Sequence, residues 1–466
     1  MWTEEQMNIK EVTVKIKDPL MPSTSSHGPS HHLICRLGGV FWLVTVVYLL
    51  LYLGENSRLG DRLNAPYPSG KSVPKSVCGL PERVNPLVHV NGSRTYLVSS
   101  YMEHRSRSQI RTIAIVKRTE AVSYSCLFCC DEELIRTSNA EQEIHSDHFG
   151  FNFGAADILC SVPENCLSPS HVAIHKSPLG NQKPSILPIR NQETRTESFP
   201  YQFTVCISVM YDYTNVLQLV QTLEMFRLLG AQHVAIYKSS CNTATQRVLD
   251  YYIKEGFVEI IPWPITQYIN VSRGWQPSVS PGELHYFGQI AALNDCVYRF
   301  MYQTRYVVLQ DLDEVIVPVK VNSWTELLPV LEQKHGSQTS FEFQNHVFRN
   351  TVGGRNAAER PREWQGISGV DILDHIWREP NYPNVFNNFK VIVDPRTVYR
   401  TTVHGLLSSD SRGVRVDADV ARMYHIRAPW QQDVTREELI KDERLWDYAP
   451  RLIPAVSHVL NKTSTK

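Results

Sequence analysis

Asp311, Asp313 and Glu314 stand together in Tyr306-Val-Val-Leu-Gln-Asp-Leu-Asp-Glu-Val-Ile-Val-Pro318, where an apolar strand delivers three carboxylates at its end and then resumes. Side chains two apart on a strand project to the same side, so Asp311 and Asp313 can converge on one point while Leu312 packs the other way. Carboxylates held this close repel each other unless a cation, a shared proton or solvent relieves them, and a hard divalent ion with oxygen ligands is the usual relief. A solvated turn at a strand end carries the same Asp-x-Asp pattern. The elements around the acids have to decide between a site and a turn.

Those elements alternate. Phe203–Tyr211 is a near-continuous apolar run suited to a strand buried on both faces. Tyr213–Leu229 places Val216, Leu219, Val220, Leu223, Phe226 and Leu229 at helical spacing and stops before Gly230. His233–Lys238 reads as a second strand, Thr243–Lys254 as a second helix closed by Gly256, and Phe257–Trp263 as a third strand. Glu283–Tyr302 reads as a third helix, and Tyr306–Leu309 as the strand that ends on the acids. Such a series predicts an α/β fold with a mostly parallel sheet, whose binding crevice lies beyond the carboxyl ends of the strands. Met210, Tyr211 and Asp212 leave the first strand at the edge where Asp311 and Asp313 leave the fourth. No Gly-x-x-x-x-Gly-Lys or Gly-x-Gly-x-x-Gly loop follows the first strand, which argues against a Walker-type nucleotidase or a dinucleotide enzyme.

The 47 basic and 47 acidic residues cancel, so the chain carries no electrostatic footprint for nucleic acid. Its ten cysteines lack the paired spacing of a zinc module and read as disulfide material. Residues 1–36 read as a polar, disordered tail, and the apolar run 37–53 as a short transmembrane signal-anchor. Flanking charge does not orient that anchor. The sequons at Asn91, Asn270 and Asn461 and nine of the ten cysteines all lie beyond it, which favours a cytosolic tail and a lumenal body. Residues 54–85, with Pro66, Pro68, Pro74 and Pro81, read as a stem. Residues 86–199 read as a β-rich accessory region, 200–435 as the catalytic domain and 436–466 as a C-terminal tail.

Val205-Cys-Ile-Ser-Val-Met-Tyr, the stretch Phe226-Arg-Leu-Leu-Gly-Ala-Gln-His-Val-Ala-Ile-Tyr237, Gly288-Gln-Ile-Ala-Ala-Leu-Asn-Asp-Cys296 and Gln310-Asp-Leu-Asp-Glu-Val-Ile-Val-Pro318 occur in this order. Together they make the chain, over roughly residues 200–430, resemble glycosyltransferase family 92. The resemblance implies a GT-A type nucleotide-sugar-binding fold in a single-pass type II Golgi membrane enzyme. It further implies UDP-galactose as donor, manganese as the metal, and inverting transfer of galactose to a glycan acceptor. A catalytically silent glycan-binding or scaffold protein on the same fold is the alternative, and a metal-dependent nucleotidyltransferase or phosphohydrolase a third reading.

On that resemblance Asp311 and Asp313 bind metal and diphosphate, and Glu314 orders them or meets the donor ribose. Met210 and Tyr211 border the uridine, while Gln289 and Asp295 on the third helix face the donor sugar. His404 is the expected imidazole ligand of the metal, with His425 as its substitute. Inversion needs a general base; Asp371, expected to open a short helix, is the candidate, with Glu363 and Asp374 as rivals. Trp364, Trp377 and Tyr382 are candidates for an aromatic sugar platform. Ser340–Phe348, Phe389–Asp394 and Val398–His404 are expected to complete the sheet.

Overall fold

A computed structural model of the chain describes residues 76–464, apart from 106–107, 167, 182, 338, 355–360, 384 and 386. The expected tail, anchor and most of the stem, residues 1–75, lie outside the described residues. Among those described, no helix is long and apolar enough to cross a membrane.

The region expected to be β-rich is so. Eight strands from Val88–Val90 to Leu187–Arg190 form one sheet, antiparallel but for a single pairing. That parallel pairing, Ile189 with Ser100, joins the last strand back to Thr95–Glu103. Disulfides Cys78–Cys129, Cys126–Cys160 and Cys130–Cys166 staple this sheet. Its core is shared with the residues beyond 200. Leu87, Val98, Tyr101, Ile113 and Phe153 lie in one buried cluster with Cys206, Tyr237, Trp263 and Leu293. Tyr101 also donates its hydroxyl to Asp295 Oδ1 at 2.6 Å, and Arg105 Nη1 donates to Val398 O at 2.6 Å. The expected boundary near residue 200 is therefore a change of topology within one compact body.

From Tyr201 the alternation follows the sequence pattern: β1 (Tyr201–Met210), α1 (Val216–Leu229), β2 (His233–Lys238), α2 (Thr243–Lys254) and β3 (Val258–Pro262). Helix α1 ends where Gly230 takes φ 105°, a left-handed cap that a side chain would strain. The third helix begins later than its apolar period suggests: α3 covers Gln289–Arg299. Tyr286 and Phe287 adopt φ 32° and 54°, which stops the helix from extending back to Glu283, and Trp263 Nε1 holds that turn by donating to Phe287 O. Then come β4 (Thr304–Leu309), the acid turn and β5 (Glu314–Pro318). The disulfide Cys206–Cys296 ties β1 to α3.

Strands β3, β2, β1 and β4 are parallel neighbours in that order. The chain steps one way from β1 to β3 and then returns to the other side of β1, so a topological switch point falls between β1 and β4. The sheet is parallel only on this half. After α4 (Trp324–His335), β6 (Ser340–Arg349), β7 (Trp377–Arg378) and β8 (Phe389–Val393) extend it with antiparallel pairings, β8 lying against β4. The expected third segment does not complete the sheet. Its strand β9 (Val398–Thr402) pairs with β10 (Gly405–Ser409) as a separate hairpin. Strands β11 (Gly413–Val416) and β12 (Ala421–Arg427) run parallel to β6, and β12 also pairs antiparallel with β5.

Residues 436–464 are no tail. Strand β13 (Ile440–Lys441) pairs with β7, and α5 (Ala449–Thr463) buries Leu452, Val456, Val459 and Leu460 in the core with α1. Their three-and-four spacing marks one helical face.

Candidate active site

The acid turn leaves β4 at the switch point, and its three carboxylates meet different surroundings. Asp311 is half-buried. Its Oδ1 accepts from Gln289 Nε2 at 3.3 Å and from Ser208 Oγ at 3.4 Å, and Gln289 in turn donates to Ser208 at 2.7 Å. Gln289, from α3, therefore stands behind Asp311, almost fully buried. Glu314 is buried and its Oε2 accepts the Asp311 backbone N–H at 3.1 Å, which closes the turn on itself. Asp313 keeps 43% of its side chain open to solvent.

Two cations that sequence reasoning did not place there as counter-charges complete the cluster. Lys390, on β8 and only 2% exposed, puts Nζ at 2.8 Å from Asp311 Oδ2 and at 3.4 Å from Glu314 Oε2. Its position comes from register, since β8 lies beside β4 with Val391 opposite Leu309. Burial opposes the lysine's charge, but Asp311 and Glu314 outweigh it and raise its pKa. Burial likewise pushes the Glu314 carboxyl up, against the pull of Lys390. His425 sits opposite Glu314 in the β5–β12 ladder, with Nε2 at 3.2 Å from Asp313 Oδ2 and Nδ1 at 3.5 Å from Glu314 Oε1. Burial works against the charged forms of both members of the His425–Asp313 pair. Their mutual attraction prevails, raising the imidazole and lowering the carboxyl. A signal for Lys390 existed in Phe389-Lys-Val-Ile-Val: a lysine inside an apolar strand needs an acid partner.

His404 lies just beyond β9, where burial and the nearby positive charge of Lys390 push its imidazole down to about 3 and keep it neutral. Its Nδ1 is buried without a hydrogen-bond partner among the described residues. A neutral imidazole with an open lone pair and two carboxylates suit a hard or borderline divalent ion. No three His, Cys, Asp or Glu side chains among the described residues are already gathered as a ligand set. The donors fit by type, and Lys390 and His425 pair with the acids of the cluster.

The other expected residues divide. Met210 is buried in the core at the end of β1. Tyr211, next to it, is half-buried, stacked on Phe287 with centroids 3.7 Å apart, and donates to the Tyr286 hydroxyl at 3.0 Å. Asp212 comes next at φ 43°, paired with Arg273 at 2.8 Å. Three non-glycine residues at positive φ (Asp212, Tyr286 and Phe287) thus cluster at this edge, as is common where function over-determines the backbone. Periodicity carries no trace of such strain.

Asp295 does not face the donor sugar. It is fully buried, with Oδ1 accepting from Tyr101 and Oδ2 from Tyr237 at 2.5 Å and Arg299 Nη2 at 2.9 Å. Helical spacing from Gln289 puts it six residues on, on the face that meets the accessory sheet. Asp371 opens no helix: residues 372–374 are a turn. The carboxylate is buried and Oδ1 accepts from Gln221 Nε2 at 2.7 Å and Leu373 N at 3.1 Å, which fastens the turn to α1. A base must reach a substrate hydroxyl, and this packing closes that reach. Among the platform candidates Trp364 is buried, with Nε1 on Ser457, Trp377 is half-buried and Tyr382 is exposed. Asn91, Asn270 and Asn461 are all exposed.

A family model described as glycosyltransferase family 92 matches residues 201–454, more than half of the chain. Glycosyltransferase family 92 protein F13G3.3 of Caenorhabditis elegans is 22% identical over 208 residues, covering 44% of this chain and 38% of that protein. The beta-1,4-galactosyltransferase galt-1 of the same organism is 21% identical over 238 residues, covering 50% and 49%. The matches thus span less than half the length of either relative. A solved structure, S. aureus TarS 1-349 in complex with UDP, overlaps 57% of this chain and 67% of its own at 11% identity. Its TM-score of 0.26 is too low to indicate a shared fold. The matched residues run from the start of β1, through the acid turn and both of its counter-cations, into α5, and by that match the chain belongs to glycosyltransferase family 92.

Proposed function

We propose that the chain transfers galactose from UDP-galactose to a glycan acceptor with inversion, with manganese as its ion, as a single-pass type II protein whose body lies in the Golgi lumen. The observation that carries this reading is the half-open acid turn at the switch point between β1 and β4, where an open α/β sheet takes its ligand. Asp311, Asp313 and His404 would hold the ion, which when bound offsets the charge that gathers on a leaving diphosphate. Gln289 and Ser208 fix one oxygen of Asp311, Lys390 fixes the other, and Glu314 holds the turn's backbone. The Tyr211–Phe287 stack offers a flat aromatic edge for a uracil ring. Family membership supports glycosyl transfer, and a galactosyltransferase among the relatives supports galactose. Four disulfides and three exposed sequon asparagines support an oxidising, glycosylating compartment, and the apolar run 37–53 supports the anchor.

Calorimetry with UDP, with and without manganese, tests the reading. UDP is expected to bind only with the metal, and Asp311→Ala or Asp313→Ala is expected to lower turnover by about 100-fold or more. Metal-independent UDP binding, together with variants as active as the parent, would remove its basis. Preference for UDP-glucose or UDP-N-acetylgalactosamine over UDP-galactose would overturn the choice of sugar. One observation favours a second reading, a catalytically silent glycan-binding body: the protein's own Lys390 offsets charge on Asp311 and Glu314. That reading expects glycan binding with no manganese effect in the same cell.

A further inference from the structure

Two aromatic side chains stand open on the flank of the acid turn opposite Tyr211. Trp430, 46% exposed, lies past the end of β12, five residues beyond His425. Tyr382, 43% exposed, lies in the loop between β7 and β8. Exposed aromatics on slack loops are unremarkable, but these loops are fastened with unusual care. Glu379 is 1% exposed, and a buried carboxylate is costly unless its oxygens are satisfied. Its Oε1 accepts from the Trp430 backbone N–H at 3.0 Å and from Arg349 Nε at 2.9 Å, and its Oε2 accepts from the Gln431 backbone N–H at 3.1 Å. Gln431 Nε2 also donates to Pro380 O at 2.9 Å, which staples the two loops together.

The base of the Tyr382 loop is closed in the same manner. Asn381 Nδ2 and Asn387 Nδ2 both donate to Asn345 O, at 2.9 and 2.6 Å, while Asn345 Oδ1 is buried with no hydrogen-bond partner among the described residues. Sheet register places this assembly. Glu314 pairs with His425 across β5 and β12, His425 pairs with Val347 across β12 and β6, and Glu379 donates its backbone N–H to Val347 O. Both loops therefore leave the sheet at the end that carries the acid turn, on the side away from the β1–β4 switch point.

We infer that Trp430 and Tyr382 form the binding platform for the acceptor, a neutral pyranose of a glycan. This rests on the transferase reading for the word acceptor. A pyranose presents an apolar C–H face that an aromatic ring covers, ringed by hydroxyls that amide groups can meet. A nucleotide enters from the switch-point flank, so a sugar on the opposite flank is the one that receives. Glu379 fixes the backbone of Trp430, and the Arg427 guanidinium lies over its ring at 5.3 Å, which together lower the ordering cost of binding on the exposed part of the ring.

Saturation-transfer NMR on the full chain in detergent, with UDP and manganese present, tests this using lactose, N-acetyllactosamine and methyl β-galactoside as probes. At least one probe is expected to bind the parent. Trp430→Ala should weaken it about tenfold and Tyr382→Ala by less, with Trp430→Phe partly restoring it, while UDP affinity and melting temperature stay put. Binding that survives Trp430→Ala unchanged, or no binding by any probe to a parent that binds UDP, overturns the platform. A parent that binds a probe through Trp430 but never binds UDP keeps the platform and overturns the transferase reading instead.

Discussion

Two centres in this molecule set acidic side chains against buried cations and do opposite things. At Asp295 a fully buried carboxylate meets Arg299, Tyr101 and Tyr237, and each of its oxygens accepts fixed, dry donors. Burial alone would raise its pKa, but Arg299 and the two hydroxyls lower it. At the acid turn three carboxylates share one buried lysine and one histidine, and Asp313 remains half open. The first centre balances charge and excludes water, so it fastens the accessory sheet to the α/β half. The second leaves acid in excess at a crevice, so it keeps capacity for a ligand. Burial and perturbed titration mark both centres; only the uncompensated, accessible carboxylate distinguishes a site from a clamp.

The largest test of that contrast is Asp295→Asn. It leaves Arg299 buried without its counter-charge and is expected to cost about 3–5 kcal/mol in urea unfolding, with or without manganese. If manganese or UDP rescued it, the clamp would have to be reassigned as a site. Next comes Lys390→Met. Without metal it takes the lysine's charge from Asp311 and Glu314, leaving Glu314 with His425 and Asp311 with neutral donors, and should lower stability by about 3 kcal/mol. Manganese should then raise the melting temperature more in the variant than in the parent, because an ion takes over the lysine's charge. Equal shifts in the two proteins would put the acid turn in the same class as Asp295.

Asp371→Asn sharpens the boundary from the other side. Its contacts with Gln221 and Leu373 predict a loss of about 1 kcal/mol and unchanged turnover per folded molecule. A turnover drop of about 1000-fold at constant melting temperature would instead make it the base of the reaction. A pH-dependent effect is expected at His346, which burial, helped by Arg378, pushes down to about 4. Its folded value lies below the unfolded one, so the unfolded chain takes up the extra proton between about pH 6.5 and 4. Stability should fall as pH drops through that window, by about 1–3 kcal/mol, and His346→Gln should flatten the slope. A parent with no such slope would mean that His346 is charged and paired, in the manner of Asp295.

Much of the fold was legible because the parallel half obeys local rules. Apolar runs at Tyr201–Met210 and Thr304–Leu309 and the three-and-four spacing of α1 need no distant partner to be read. The late start of α3 was hidden because residues 283–288 keep an acceptable helical composition, while a positive φ at Tyr286 and Phe287 is a packing outcome. Asp295 misled because a polar residue on an apolar helix looks the same whether it faces a crevice or a tyrosine from another sheet. The tail assigned to residues 436–466 overlooked the apolar face of α5, whose partner α1 lies more than 200 residues earlier.

Sequence alone determined the strand that ends on Asp311, Asp313 and Glu314, and the alternation that brings it to a crevice edge, because both are set by neighbours in the chain. Only the tertiary structure decided which charges answer those acids. Lys390 arrives from 79 residues beyond Asp311 and His425 from 112 beyond Asp313, each delivered by the register of a strand pairing that no local pattern encodes. A carboxylate's role depends on what else shares its low-dielectric surroundings, and that company is assembled by the sheet.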